Sequence, residues 1–520
     1  MWILRLFAVI AILASSALAV EPAPTDDSEM CTQCLSVVGA WQAKWTNSTA
    51  IGDILINLEE ECKANHHGLE KDLCDKLAEF WITIPPQIIE GMDNLAWDIP
   101  IATCAIGRKC KTPCCAEDSI EQVHLSLTSD RSEMGVSWVT LHNGDTFVQY
   151  STTSDFAEML EVEGRISTYS SAGWEGIVHK AVMTRLAPAT EYYYRVGGGD
   201  RWSDTLGPFK TFDPEQSQAK FVVIADMGFG ENSDNTIARI TELIDAGEVD
   251  VVVHSGDIGY ADGYEVHWDT FFNKIQPIAS RVPYHVTPGN HEFWFNFAAY
   301  KERFFLPGSA ADEHKEDGEG NRKNMYYSWE YGIVHFAAMN SESAVDTPEF
   351  KRPMLDFFER DLSNVDRAKT PFVIAHFHRP LYCSNDKQCT KTVDDPNILV
   401  RQAEELFYQH QVDMIFTGHV HDYERMGAIY KAESVATPTD GSYGAPVYIL
   451  QGSSGNREGN KSSWPADDDL PDWSLAHSGE IGYGVLTSTA AQGGATLKWA
   501  FYRSEDNELL DTATYTAVEY

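Results

Sequence analysis

Five polar motifs, each placed directly after a short apolar segment, constrain this chain more than any other feature. The apolar segments have the length and composition of buried strands. Because ligands of α/β sheets gather beyond the carboxyl ends of the strands, we expect all the motifs to converge on one site. In chain order the motifs are Ala225-Asp226-Met227-Gly228, Gly256-Asp257-Ile258-Gly259-Tyr260, Gly289-Asn290-His291-Glu292, His376-Phe377-His378-Arg379-Pro380 and Gly418-His419-Val420-His421.

The segments around these motifs alternate between strand and helix patterns, which is typical of α/β layers. Residues 235–246 are predicted to form an amphipathic helix, since Ile237, Ile240 and Ile244 are in phase on one face. The predicted strands are 220–225, 249–253, 282–287, 371–377 and 412–416.

The polar side chains of the motifs are carboxylates, a phenol, an amide and imidazoles. This mixture of oxygen and nitrogen donors suits a pair of hard-to-borderline metal ions. Each motif alone is a common turn, and His254 is more simply a buried strand histidine than a ligand. The motifs together, in this order and spacing, predict a metal centre.

With these motifs the sequence resembles the purple acid phosphatases, within the calcineurin-like metallophosphoesterases. The resemblance covers a fibronectin-like region before residue 218 and everything over about 218–505, including Tyr483-Gly484-Val485-Leu486 near the end. The distinguishing residue is Tyr260, three positions after Asp257, where the family has a phenolate ligand to Fe(III). The resemblance implies hydrolysis of phosphomonoesters at a centre of Fe(III) and a divalent metal (Zn, Fe or Mn), by attack of a metal-bound hydroxide.

The resemblance also implies a ligand set. Asp226, Tyr260 and His421 would hold Fe(III), and Asp257 would bridge the metals. Asn290, His419 and a histidine of the fourth motif would hold the divalent ion. Both His376 and His378 fit that motif and share one strand face, and we choose His378 because ligands cluster at the strand end before the proline.

Around the metals, the resemblance implies that His291 faces the substrate and stabilises the transition state or protonates the leaving oxygen. The alternative is that His291 orients a ligand. The sequence departs from the plant members after Tyr382, where we predict a small disulfide loop between Cys383 and Cys389 and find no assigned general acid. Arg379 and Arg425 are expected to support the site by ion pairing rather than by touching phosphate.

The remaining cysteines predict a separate helical domain. Apolar stripes at helical spacing lie between them, and their spacing resembles that of a saposin-like domain over 29–112. The resemblance implies that Cys31 pairs with Cys110, Cys34 with Cys104 and Cys62 with Cys74, and leaves Cys114 and Cys115 unassigned. Its apolar stripe either contacts a lipid or membrane surface or packs inward. A phosphodiesterase or pyrophosphatase acting on lipid or nucleotide substrates is therefore the alternative function, since acid sphingomyelinase also carries such a domain, and a lipid carrier is a third.

Between these regions, residues 117–212 predict an antiparallel β-sandwich. Strand patterns occur at 123–127, 134–139, 146–150 and 192–196, and 186–196 resembles a fibronectin type III motif in which Tyr192 braces a strand corner. The predicted fold is thus multidomain: the saposin-like domain, a fibronectin III-like β-sandwich, and an α/β metallophosphoesterase domain over 218–510, built as a two-sheet sandwich flanked by helices.

Residues 1–19 predict a cleaved signal peptide, because an apolar run ends in a small-x-small site. Sequons at Asn47 and Asn460 agree with a secreted or lysosomal/vacuolar protein. The net charge of −39 argues against nucleic-acid binding, and the oligomeric state stays open. In acid the 17 histidines become cationic and reduce this charge, so we expect the best stability in mildly acid solution.

Overall fold

The computed structural model of the chain describes residues 112–308, 323–342, 348–435, 444–461, 463–466, 469–491 and 494–517. The predicted signal peptide, the saposin-like domain and its cysteine pairs (Cys31 with Cys110, Cys34 with Cys104, Cys62 with Cys74), and the sequon at Asn47 lie outside these residues. Cys114 and Cys115 are disulfide-bonded. No helix within the described ranges is long and apolar enough to span a membrane.

The chain forms two compact units, and the site described below lies wholly in the larger one, Cys115–Thr168, Gly176–Asp262 and His267–Tyr520. The described part of the smaller unit includes Tyr169–Glu175 and Gly263–Val266. In it, the two-residue strands Thr112–Pro113 and Trp174–Glu175 pair in parallel, and Ser171–Gly173 forms a 3₁₀ turn.

The first half of the larger unit contains two antiparallel sheets of four and five strands. Their inner faces bury Trp138, Tyr150 and Tyr194 completely, which supplies the apolar burial that such a sandwich needs. Tyr192 braces the chain as expected, since its hydroxyl accepts a hydrogen bond from Ala187 N at 2.9 Å. The strands are Glu121–Ser126, Met134–Thr140, Arg165–Ser167 and Ile177–Met183 in one sheet, and Phe147–Ser151, Leu160–Glu163, Glu191–Gly198, Arg201–Trp202 and Leu206–Lys210 in the other.

The second half contains two larger sheets, which pack face to face. Aromatic rings make the contact. The ring centroids of Phe221 in one sheet and Phe336 in the other are 5.0 Å apart, and those of Trp499 and Phe416 are 5.3 Å apart. The six-stranded sheet contains Gln218–Ile224, Val251–Ser255, Tyr284–Thr287, Gly482–Thr489, Thr496–Arg503 and Leu509–Thr516, and the eight-stranded sheet contains Tyr327–Tyr331, Val334–Ala338, Phe372–His376, Met414–Thr417, Tyr423–Tyr430, Glu433–Ser434, Val447–Gln451 and Ser474–Ser478.

Helices flank these sheets, as an α/β architecture requires. The helix Asp234–Asp245 lies within one residue of its predicted bounds at each end and buries Ile237, Ile240 and Ile244. The other helices among the described residues are Val266–Ala279, Trp294–Arg303, Pro348–Ser363 and Glu405–Gln409, with 3₁₀ turns at Glu231–Ser233 and Asn290–Glu292 and a π-helical segment at Val400–Glu404. The predicted α/β phosphoesterase fold preceded by a β-rich domain is confirmed.

The β-sandwich contacts the second half of the larger unit through hydrogen bonds. Val123 N donates to Gln276 Oε1 at 2.8 Å, and the buried hydroxyl of Tyr194 donates to Ser280 O at 2.7 Å. Gln276 belongs to the helix Val266–Ala279 and Ser280 follows it directly. The sandwich therefore supports the helix that runs beside the second motif.

Several histidines are buried in uncharged form, which corrects the expectation that acid stabilises the fold through all the histidines. Burial lowers the pKa of His179 and His124 to about 4. It lowers the pKa of His254, His267 and His376 to about 3. The unfolded chain takes up these protons near pH 6.5, so acid favours unfolding at these positions.

We expect His179 alone to remove about 1–2 kcal/mol of folding free energy between pH 7 and pH 5. Its stabilising contribution is complete above pH 6.5 and is lost as the pH falls towards 4, because burial removes the ring from water and disfavours its charged form. The ring nitrogens contact the hydroxyls of Thr140 and Thr146 instead, at 2.7 Å and 2.8 Å. Urea unfolding at both pH values should show a smaller pH effect for His179→Gln than for the native chain. His142→Gln, at an exposed position of the same sandwich, is the control; an equal pH effect in all three proteins would contradict the prediction.

Candidate metal centre

Three predicted ligands from separate strand ends meet at one point. The Tyr260 hydroxyl lies 3.2 Å from Asp226 Oδ1 and 3.1 Å from His421 Nε2. His421 Nε2 lies 3.4 Å from the same Asp226 oxygen. Asp226 and Tyr260 are buried, so these donor atoms surround a position from which solvent is largely excluded.

A second group of donors lies around Asp257. His378 Nε2 is 3.0 Å from Asp257 Oδ2 and 3.2 Å from Asn290 Oδ1. Asp257, His378 and His419 each offer a ligand atom within 4.8 Å of the other two. The structure thus brings together all the predicted ligands in two neighbouring groups.

The backbone at these residues is unusual. Asp226, Asp257, Tyr260 and His419 all have positive φ, between 46° and 71°, although none is glycine. A residue other than glycine costs free energy when its backbone adopts this left-handed conformation, and such residues cluster at functional sites. All four are predicted ligands, so the unfavourable conformations coincide with the candidate site.

Two glycines allow the close approach of these turns. A Cβ on Gly418 would collide with the Asp226 carboxylate, and a Cβ on Gly289 would collide with the carboxylate and main chain of Asp257. The glycines of the motifs therefore do more than form turns: they let one strand end lie directly against the ligand of another.

The electrostatics of the site fit bound cations. Burial raises the pKa of Asp226. Burial also acts to raise the pKa of Asp257, but His378 and His291 outweigh it and hold that pKa well below the usual range. Burial acts to lower the pKa of His378, yet Asp257 and Asp226 raise it to about 9. Buried carboxylates of this kind need a positive partner, and metal ions are the strongest such partners.

The two candidate histidines of the fourth motif lie in different surroundings. His376 ends the strand Phe372–His376, and neither of its ring nitrogens has a hydrogen-bond partner among the described residues. His378 lies past the strand end and faces Asp257. His254 is a buried strand histidine whose Nδ1 lies 2.8 Å from the Tyr284 hydroxyl.

His291 lies beside the donors and is half-buried. Its main-chain N donates to Asp257 Oδ1 at 2.9 Å. Its Nδ1 lies 2.7 Å from Asp262 Oδ1, and its Nε2 lies 3.7 Å from Asp257 Oδ2 and 3.6 Å from Glu458 Oε1. Burial acts to lower the pKa of His291, but Asp262 and Asp257 raise it to about 10.

Sequence reasoning missed three residues of the site: Asp262, Arg457 and Glu458. Arg457 Nη1 donates to the main-chain carbonyl of Tyr260 at 2.7 Å, and Nη2 pairs with Asp262. Glu458 Oε2 lies 3.9 Å from His421 Nδ1. The turn-rich segment after the apolar strand Val447–Gln451 is a further strand end, and this pattern would have indicated it.

The two arginines named from the sequence form ion pairs. Arg379 Nε lies 2.8 Å and 3.0 Å from the two oxygens of Glu342, which is fully buried, and its Nη1 lies 3.0 Å from His419 Nε2. Arg425 pairs with both oxygens of Asp511, at 2.6 Å and 2.9 Å. These contacts hold the loops that carry the fourth and fifth motifs.

Two other predicted sites fall among the described residues. Cys383 and Cys389 form a disulfide across the loop after the fourth motif. Asn460 Nδ2, the atom to which a glycan would be attached, donates to Gly479 O at 3.2 Å. Glycosylation of Asn460 stays a prediction.

Comparisons with known proteins give one consistent result. Three family models match the chain: "Purple acid Phosphatase, N-terminal domain" over 120–211, "Calcineurin-like phosphoesterase" over 219–423 and "Iron/zinc purple acid phosphatase-like protein C" over 445–512. None of these ranges includes the predicted saposin-like domain at 29–112.

Similar individual proteins include "Acid phosphatase type 7" of Danio rerio, 32% identical over 394 residues, which covers 70% of this chain and 84% of the relative. "Purple acid phosphatase 18" of Arabidopsis thaliana is 32% identical over 399 residues and covers 75% and 82%. Among solved structures, the purple acid phosphatase PPD1 from yellow lupin (Lupinus luteus) seeds has a TM-score of 0.64 at 25% identity, covering 77% of this chain and 74% of that one.

Proposed function

This chain belongs to the purple acid phosphatase family, and from that premise we propose that it hydrolyses phosphomonoesters at a centre of Fe(III) and one divalent metal, Zn, Fe or Mn. It is a metal-dependent acid phosphatase, as its relatives support. The observation that carries the finer proposal is the meeting of a carboxylate, a phenol and an imidazole within 3.4 Å at Asp226, Tyr260 and His421. A phenol among the donors suits Fe(III) better than a divalent ion.

In this proposal Asp226, Tyr260 and His421 would hold the iron, and Asn290, His378 and His419 would hold the divalent metal. Asp257 would contribute its carboxylate to both ions. The short distances from His378 to Asp257 and Asn290 support His378 over His376. When bound, the two cations would neutralise the charge of the phosphate and lower the pKa of water, so that hydrolysis can proceed in acid.

His291 has the geometry of a proton donor. Its Nδ1–H donates to the Asp262 carboxylate at 2.7 Å, which fixes the ring and turns Nε2 towards Asp257. Because the Asp262 carboxylate accepts from Nδ1–H, it favours the charged form of the ring, in which Nε2 also carries a proton. We propose that this proton stabilises the transferring phosphate or passes to the leaving oxygen.

Other parts of the proposal rest on the sequence. The predicted signal peptide supports a secretory route to a secreted, lysosomal or vacuolar location, and the predicted saposin-like domain would provide lipid contact. No contact among the described residues favours the phosphodiesterase or pyrophosphatase alternative, which rests on the predicted saposin-like domain at 29–112. The substrate is a phosphate ester, because a phosphatase acts on such esters.

Metal analysis together with a visible spectrum tests the proposed centre. We expect one iron and one divalent metal per chain, and a tyrosinate-to-iron absorption band that Tyr260→Phe abolishes. Tyr284→Phe is the matched control, since Tyr284 is equally buried and contacts His254 instead of a predicted ligand. A protein that carries no iron, or iron without this band, would match metallophosphoesterases without a phenolate ligand. A band that survives Tyr260→Phe would contradict the assignment of Tyr260 as the ligand.

A further inference from the structure

We propose that Arg457 is a positioning residue that sets the orientation and the electron-donating strength of Tyr260. The inference rests on the proposed function, because it takes Tyr260 as a ligand of Fe(III). It adds a residue that no motif includes, on a loop that approaches the second motif across 197 positions of sequence.

Arg457 makes three contacts around Tyr260. Its Nη1 donates to the Tyr260 carbonyl at 2.7 Å. Its guanidinium carbon lies 5.5 Å from the centroid of the Tyr260 ring, which is within the range of a cation–π interaction. Its Nη2 pairs with Asp262, two residues after Tyr260 and just past the second motif. Arg457 is therefore held against the main chain and the ring of one residue at once.

The hydrogen bond to the carbonyl acts on an unfavourable backbone. Tyr260 has a φ of 48°, a region that bulky residues rarely adopt. Such a conformation persists only where its surroundings fix it. Arg457 supplies one such restraint from outside the motif, so the direction of the phenol depends on the loop that carries Arg457.

The position of the charge determines its effect on the metal-bound phenolate. The carbonyl that Arg457 contacts is at the main-chain end of Tyr260, whereas a metal ion would lie at the hydroxyl end. The absorption band arises when an electron moves from the phenolate to Fe(III), which is movement away from the guanidinium. The positive charge opposes this movement, so Arg457 shifts the band to shorter wavelength.

Asp262 partly cancels the charge of Arg457. Its carboxylate pairs with Nη2 and also accepts from His291 Nδ1 at 2.7 Å. Removing the negative charge at Asp262 therefore leaves the guanidinium uncompensated and should shift the band further to shorter wavelength. Removing the charge of Arg457 and removing the charge of Asp262 should therefore shift the band in opposite directions. A general loss of packing would not produce this pattern.

The test is the position of the absorption band in purified variants of the full chain, with each spectrum normalised to its iron content. We expect Arg457→Met to move the band to longer wavelength by on the order of 10 nm, as a charge removed at this distance predicts. Arg457→Lys, which keeps the charge, should stay nearer the native position. Asp262→Asn should move the band the other way, and Arg281→Met, whose guanidinium pairs with Asp245 on the surface, should leave it unchanged.

An unshifted band in Arg457→Met, or an equal shift in Arg457→Lys, overturns the inference. If Arg457→Met fails to fold, Asp262→Asn decides, because a shift to longer wavelength or no shift overturns it. A native protein with iron but no band would instead overturn the role of Tyr260 in the proposed function, and the inference with it. A native band that none of these variants shifts leaves the proposed function intact and removes only the role of Arg457.

Discussion

Asp257→Asn is expected to lower kcat/KM for a phosphomonoester at pH 5 by about 10³-fold or more, equivalent to about 4 kcal/mol of transition-state stabilisation. Asp257 is buried, accepts the main-chain N–H of His291 at 2.9 Å and lies 3.0 Å from His378 Nε2. Asparagine has nearly the same shape but no charge. The variant should fold, yet it would lack the anion that the two neighbouring groups of donors share.

A chromogenic monoester provides the assay, and metal content per chain provides a second reading. Asp250→Asn is the matched control, because Asp250 precedes the same strand, Val251–Ser255, that Asp257 follows. Its carboxylate accepts from Lys220 N at 2.8 Å and from the Tyr331 hydroxyl at 3.1 Å, away from the site. Native activity and native metal content in Asp257→Asn would contradict the proposed centre.

The second large effect is expected for His291→Asn, which should lower kcat by about 10²-fold with unchanged iron and divalent metal. The variant lacks the Nε2 proton that the Asp262–His291 contact keeps in place. The loss should grow as the leaving group becomes less acidic, so an alkyl phosphate should be affected more than an aryl phosphate. This dependence separates a proton donor from a residue that stabilises charge on phosphate alone.

Two readings would count against a proton-donor role for His291. A uniform loss across leaving groups would favour charge stabilisation, and loss of the divalent metal would show that His291 mainly orients the ligands beside it. His477→Asn is the control for a histidine replacement, since His477 is exposed and stacks on Trp464 at 4.2 Å. Its activity should match that of the native chain.

Local sequence patterns predicted the secondary structure around the site closely. The strand predicted at 249–253 is observed as Val251–Ser255, and the strand predicted at 371–377 as Phe372–His376. These strands can be predicted because both faces of a central strand are buried, so consecutive residues are apolar and form an uninterrupted apolar run. The same locality explains why the bounds differ by only a few residues.

The choice between His376 and His378 shows where local patterns stop. Both fall on one face of an ideal strand, so alternation does not separate them. In the folded chain the strand ends at His376, and only His378 reaches Asp257, at 3.0 Å. The end of a strand depends on what its neighbours in the sheet allow, which is a property of the tertiary structure.

The sequence by itself determined the strands that precede the five motifs, the helix after the first motif, the family, and a set of ligand types suited to two metal ions. Only the tertiary structure revealed Asp262, Arg457 and Glu458 around His291 and Tyr260, and the neutral histidines of the interior. The physical reason is range. Strand and helix patterns arise from residues a few positions apart, whereas Arg457 contacts Tyr260 across 197 positions, and such a contact exists only once two sheets have packed and fixed where each loop lies.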